Sequence, residues 1–190
     1  MKVYQSNRRK VLKSKCGLYR LRLDELLPIS GRSLVFIGLN PSKGDSYTND
    51  KTLIRLKTFS KEWGYEKLTV VNLFSRISKD PNMIKKARNP IGNFNNEILD
   101  DVIKEWSMNS KVDMWLAWGN KGALLNRDKA IIKKIKSYTN NIEKENNKRL
   151  YVLKLTKEGQ PMHPLYAKKK SELERITILA NLQLSILAEQ

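Results

Sequence analysis

Two residue types that carry much of protein chemistry are almost missing from this chain of 190 residues. Cys16 is the only cysteine, which excludes an intrachain disulfide, a zinc–thiolate set and a cysteine-ligated iron–sulfur cluster. His163 is the only histidine, so paired-histidine metal sites are excluded too, and all imidazole chemistry must pass through one ring. No motif joins Cys16 to His163 as a thiol–imidazole dyad. No metal and no cofactor is expected. Acidic residues are scarce: 19 Asp and Glu stand against 37 Lys and Arg, a formal charge of +18. That excess goes far beyond what solubility needs and points to a polyanionic partner, nucleic acid ahead of a membrane surface. No apolar run approaches the ~18 residues of a membrane span. The basic N-terminus lacks the apolar core of a signal peptide, so a cytoplasmic location is expected.

What is present is the make-up of a folded domain. Apolar residues form 40% of the chain, with four Trp, seven Tyr and four Phe. Residues 1–17 are basic and polar and are expected to be loosely ordered, leaving 18–190 as a single domain. Leu34-Val-Phe-Ile37 reads as a buried strand that breaks at Gly38. Asp50 can cap a helix whose apolar residues Leu53, Ile54, Leu56, Phe59 and Trp63 approximate a 3.6 period. Residues 68–74 are β-branched-rich and form the second strand. A polar loop over 75–92 leads to helical spacing over 95–106. A third strand at 112–118, a helix at 123–139 and a fourth strand at 150–156 follow. The apolar positions Leu173, Ile176, Leu179, Leu182, Ile186 and Leu187 predict a terminal helix over 171–189. Strands alternating with helices imply an α/β fold: three layers, α/β/α, around a central four-stranded, mostly parallel sheet.

Each strand delivers a polar or glycine-bearing motif at or beyond its end: Gly38-Leu-Asn-Pro-Ser42, Asn72, Trp118-Gly-Asn120 and Gln160-Pro-Met-His-Pro-Leu-Tyr166. In a parallel sheet these ends share one edge, where α/β proteins hold their ligands. Asn amides, one imidazole and several aromatics there suit the recognition of a base. The bland alternatives are turn-forming roles for Asn40 and Asn72, and core positions for Trp63, Trp115 and Trp118.

In the same order, these motifs resemble those of the uracil-DNA glycosylase superfamily. Gly38-Leu-Asn-Pro-Ser42 is similar to the water-activating motif, Gly-Gln-Asp-Pro-Tyr in the main family and Gly-Ile-Asn-Pro-Gly in the mismatch-specific branch. Val71-Asn72-Leu73 is similar to the strand whose Asn pairs with uracil. Trp115 to Asn120 is similar to the Leu-Leu-Trp-Gly-Ser segment, and His163-Pro-Leu165 to the loop bearing His-Pro-Ser-Pro-Leu. The chain also resembles a bacterial and phage family marked by Leu-Asn-Pro-Ser, Trp-Gly-Tyr, Asn-Leu-Phe and Gly-x-Pro-x-His-Pro-Leu-Tyr.

The resemblance implies a uracil-DNA glycosylase-like fold with Asn40 in the water-activating place, Asn72 reading the base and His163 donating to the leaving base. Leu165 takes the place of the wedge that replaces a flipped base. Tyr47 is the stacking candidate, and Ser42, Lys43, Tyr166, Lys168, Lys169 and Lys170 are candidate DNA contacts. Two departures weigh against excision. Asn40 stands where most relatives hold a carboxylate, a loss worth about 10²–10³ in rate for one preorganised group. The wedge loop also lacks its Ser-Pro pair. Asp45 could substitute for the acid. The expectation is therefore a DNA-binding pseudoenzyme with a degenerate base pocket, its partner single- or double-stranded DNA. An active glycosylase is the alternative, and a groove for an acidic DNA-mimicking inhibitor protein is a third.

Overall fold

The computed structural model describes residues 1–42, 50–139 and 149–187. It is an α/β fold with one large mixed sheet. In chain order the strands are β1 (Lys2–Gln5), β2 (Arg9–Lys13), β3 (Arg20–Leu26), β4 (Arg32–Gly38), β5 (Tyr65–Asn72), β6 (Val112–Leu116), β7 (Leu150–Val152), β8 (Glu174–Ile178) and β9 (Leu184–Ile186). Among the described residues there are four α-helices: α1 (Lys51–Glu62), α2 (Asn82–Lys86), α3 (Asn95–Met108) and α4 (Arg127–Thr139). The sheet order is β1-β2-β3-β5-β4-β6-β7-β8-β9. β4 pairs in parallel with β5 and β6, and β6 with β7. The β1-β2-β3-β5 and β7-β8-β9 pairings are antiparallel.

β4 sits at the centre because its apolar run has no polar face. Leu34 and Phe36 join Leu53, Leu56 and Phe59 of α1 in one apolar cluster. Val35 and Ile37 join Leu99, Val102, Ile103 and Trp106 of α3 and Ile131, Ile132 and Ile135 of α4 in the other. Alternation along a strand sends successive side chains to opposite faces, so a run apolar at every position requires cover on both. α1 starts where the sequence places it: the Asp50 carboxylate accepts from Leu53 N at 2.7 Å.

Three expectations require correction. Among the described residues the sheet has nine strands rather than four, because both flanks of the chain add antiparallel strands. Residues 1–17, expected to be loose, form β1 and β2. Ladder hydrogen bonds do not depend on side-chain polarity, and Val11 is fully buried while Arg9 is buried against Glu25. The predicted helix over 171–189 is instead the β8–β9 hairpin, whose ladder pairs Ile176 with Ile186 and Ile178 with Leu184. Its apolar positions fit a helical period and a strand alternation alike. β-branched Ile176, Thr177 and Ile178 favour the strand, and Leu182 turns the chain at φ 65°.

Candidate nucleic-acid interface at the carboxyl edge of the sheet

β4, β5, β6 and β7 run parallel, so the four motifs do reach one edge. The ladder between β4 and β5 continues past the strands through Leu73 N to Gly38 O and Phe74 N to Leu39 O, each 2.9 Å. Ala117 N donates to Ile37 O at 2.9 Å on the other side of β4. Asn72 is the last residue of β5, in register with Gly38, and 4% exposed. A Cβ at position 38 would meet the Phe36 ring at 2.6 Å and Asn72 Oδ1 at 2.9 Å, so only glycine lets the Asn72 amide lie there. Among the described residues Asn72 Nδ2 is buried without a hydrogen-bond partner. Its backbone is clamped: Asn95 Nδ2 donates to both Asn72 O and Leu73 O at 3.1 Å, and Arg127 Nε donates to Leu73 O at 3.1 Å. Arg127 is 6% exposed, and burial pulls its guanidinium below the ordinary value.

Asn40 lies just beyond β4, half-buried, and both hydrogens of its amide are used. Nδ2 donates to Pro41 O at 3.1 Å and to Ser78 O at 2.9 Å. The carboxamide oxygen is left as the group that can accept from a water or ligand. The residue is therefore both a turn holder and an edge group.

His163 arrives on the far side of β4, beyond β6 and β7. It packs next to Gly119, whose φ of 69° with ψ near −177° is open only to glycine. Gly119 N donates to Pro161 O at 2.8 Å, tying the Trp-Gly motif to the histidine loop. His163 Nδ1 accepts from Leu165 N at 3.3 Å, which leaves the proton of the neutral ring on Nε2 as a donor. Burial pushes the imidazole below its ordinary value, and the nearby Asp50 charge pulls it partly back. Proton NMR of this single imidazole is expected to titrate with a midpoint below 6.5. A depressed folded-state value means that its contribution to stability is full above pH 6.5 and lost as pH falls through the folded midpoint. A midpoint at or above 6.5 would contradict the buried, neutral ring.

Trp118 and Trp115 are core residues. Trp118 is 1% exposed and its Nε1 donates to Gln160 Oε1 at 2.7 Å, while Gln160 Nε2 donates to Asp128 Oδ2 at 2.7 Å. Asn120 is engaged with Glu158 and Thr156. Leu165 and Tyr166 are exposed, by 47% and 82%, and Lys168, Lys169 and Lys170 are exposed beside them. Ser42 is half-buried at the end of the first motif. Lys43, Asp45 and Tyr47 lie outside the described residues.

Sequence reasoning missed several participants. Asp50, read only as a helix cap, is the carboxylate whose charge reaches His163. A helix that follows a strand begins at that strand's carboxyl edge, and this topological signal could have found it. Lys51 and Arg55 of α1 were missed as well. Together with Leu165, Lys169 and Lys170 they line a groove of about 770 Å³. A second concavity, of about 560 Å³, lies on the open face of β1–β3 by Arg8, Lys10 and Lys67, and none of the four motifs reaches it. Among the described residues no three His, Cys, Asp or Glu side chains gather as a metal site, and no helix is long and apolar enough to cross a membrane.

Residues 20–165 match the model of a family described as a protein of unknown function, DUF1643. No curated protein and no solved structure matches the chain.

Proposed function

The chain belongs to the DUF1643 family, and from the geometry of its sheet edge we propose that it is a DNA-binding protein. It has a uracil-DNA glycosylase-like, three-layer architecture and a base pocket with weak or absent excision. One observation carries this reading: the buried side-chain amide of Asn72, on a backbone held by Asn95, has no partner for Nδ2 among the described residues. An unsatisfied buried donor costs about 1–3 kcal/mol, and a carbonyl on a base edge inserted from the carboxyl edge would repay it. The +18 charge supplies the phosphate attraction.

The surroundings of Asn40 support the pseudoenzyme side. A carboxylate at that position would lose two donated hydrogen bonds and oppose the Pro41 and Ser78 carbonyl oxygens. Position 40 is thus built around an amide, which can orient a water but cannot stabilise an oxocarbenium-like sugar by charge. The proximity of Asp50 to His163 favours a second reading, an active DNA glycosylase that draws its carboxylate from the start of α1.

Oligonucleotides carrying uracil or a mismatch decide between them. Expected are binding at low salt that weakens steeply as salt rises, no abasic sites on alkaline cleavage, and up to about tenfold weaker binding by Asn72→Ala. Abasic sites that vanish in Asp50→Asn, a substitution that keeps the helix cap, would establish the enzyme instead. Absence of binding to any DNA at low salt would sink both.

A further inference from the structure

The groove beside His163 has features that the base pocket alone does not need. Its walls are α1 and the segment from Leu165 to Lys170, joined where Arg55 Nη2 donates to Ala167 O at 2.6 Å and the Arg55 guanidinium lies 4.6 Å from the Phe59 ring. Trp63 Nε1 donates to Ser171 O at 3.1 Å and closes the far end of this junction. Among the described residues, Lys51, Arg55, Lys169 and Lys170 line the groove against a single carboxylate, Glu62. Among the described residues Lys51, Lys169 and Lys170 form no ion pair, so their charge is available to a ligand. Between the cations the surface is apolar: Ile54 is 53% exposed and Leu165 47%. Tyr166, between two lining residues, is 82% exposed, and its ring stands edge-on to His163 with centroids 6.1 Å apart. Cationic side chains therefore line the groove, and the exposed ring of Tyr166, which follows Leu165 of its wall, packs against His163.

We infer that this groove binds single-stranded nucleic acid, with Tyr166 stacking on an unpaired base and Lys51, Lys169 and Lys170 meeting its phosphates. The inference rests on the DNA-binding reading above and supplies the strandedness which that reading leaves open. An exposed aromatic gains from a nucleic acid only where a base face is open, and in a duplex both faces of each interior base are already stacked. Cations alone attract either form, so the tyrosine and the exposed leucine and isoleucine make the difference.

Fluorescence anisotropy with oligo(dT) and oligo(U) of about ten nucleotides, and with a DNA duplex of equal length, tests this directly. The single strands are expected to bind more tightly than the duplex, and the tighter of the two identifies the sugar preferred. Tyr166→Ala should weaken single-strand binding by about 5- to 150-fold and leave duplex binding unchanged, while Tyr166→Phe retains it. Lys169→Gln should flatten the slope of log affinity against log salt by about 0.7. Since Tyr166 is 82% exposed, its loss should leave the melting temperature in place, which a thermal scan verifies. Duplex binding as tight as single-strand binding, or a Tyr166→Ala effect equal on both, overturns the groove assignment and leaves the DNA-binding reading standing. Failure of every oligonucleotide to bind at low salt removes the reading itself.

Discussion

Exchange of Glu25 for alanine is expected to lower the unfolding free energy by about 3–5 kcal/mol, the cost of removing one partner from a buried ion pair. The Glu25 side chain is 6% exposed and accepts from Arg9 Nε of β2, itself 8% exposed, and from Lys57 Nζ of α1 at 2.5 Å. One carboxylate thus joins β2, β3 and the helix that carries the groove. Against a typical total stability of about 5–15 kcal/mol, the loss is large enough to shift a urea midpoint strongly. Burial alone would raise the Glu25 carboxyl, but the hydrogen bonds and charges of Arg9 and Lys57 outweigh it and hold the group below its ordinary value of 4.5. With the folded value depressed, this contribution is fully present above about pH 4.5 and is lost as pH falls through the folded value. The gap between wild type and Glu25→Gln should therefore narrow below pH 4.5. A gap constant down to the acid transition would show that the triad does not titrate as a unit.

Trp115→Ala is expected to cost a similar amount, about 3–5 kcal/mol, through the cavity it leaves. Trp115 is fully buried on β6, its ring edge-to-face with Phe36 at 4.9 Å, Trp63 at 5.1 Å and Phe59 at 6.0 Å. Phe59 and Trp63 belong to α1 and its end, so this cluster fixes the helix on the sheet. Asp50, Lys51 and Arg55 take their places from that docking, and on the proposed DNA-binding reading oligonucleotide binding should fall together with stability. Trp115→Phe should cost much less: it keeps an aromatic ring and removes the Nε1 donor, which is buried without a partner among the described residues. Urea unfolding of the two variants, with anisotropy at fixed salt, measures both effects. Equal losses for Phe and Ala would mean that shape specific to the indole matters more than aromatic packing.

Where the pattern is local, the sequence was legible. Four apolar residues in a row at 34–37 demand cover on two faces, and Leu53, Leu56 and Phe59 supply one cover at helical spacing. Asp50 caps its helix as its position before that run implies. The flanks were misread because their identity depends on partners far along the chain. Residues 1–17 pair as strands through the backbone, which their charged side chains conceal. Residues 174–186 carry a pattern that suits helix and strand alike, and pairing with β7 decides between them. In the candidate site, the edge positions of Asn72 and His163 were legible because each lies at or beyond a strand end. Gln160 and Arg55 could not be assigned roles, since each acts through a residue many positions away.

By itself the sequence determined the charge of the protein, the scarcity of metal-binding side chains, the central strands and the polar groups at their ends. These follow from composition and short-range periodicity, which are properties of the chain alone. The tertiary structure decided which of those polar groups are already used. Asn40 spends its amide on two carbonyls, whereas Asn72 keeps a buried donor that has no partner among the described residues. Hydrogen-bond satisfaction and burial are relations between residues distant in sequence, and only folding brings the partners together.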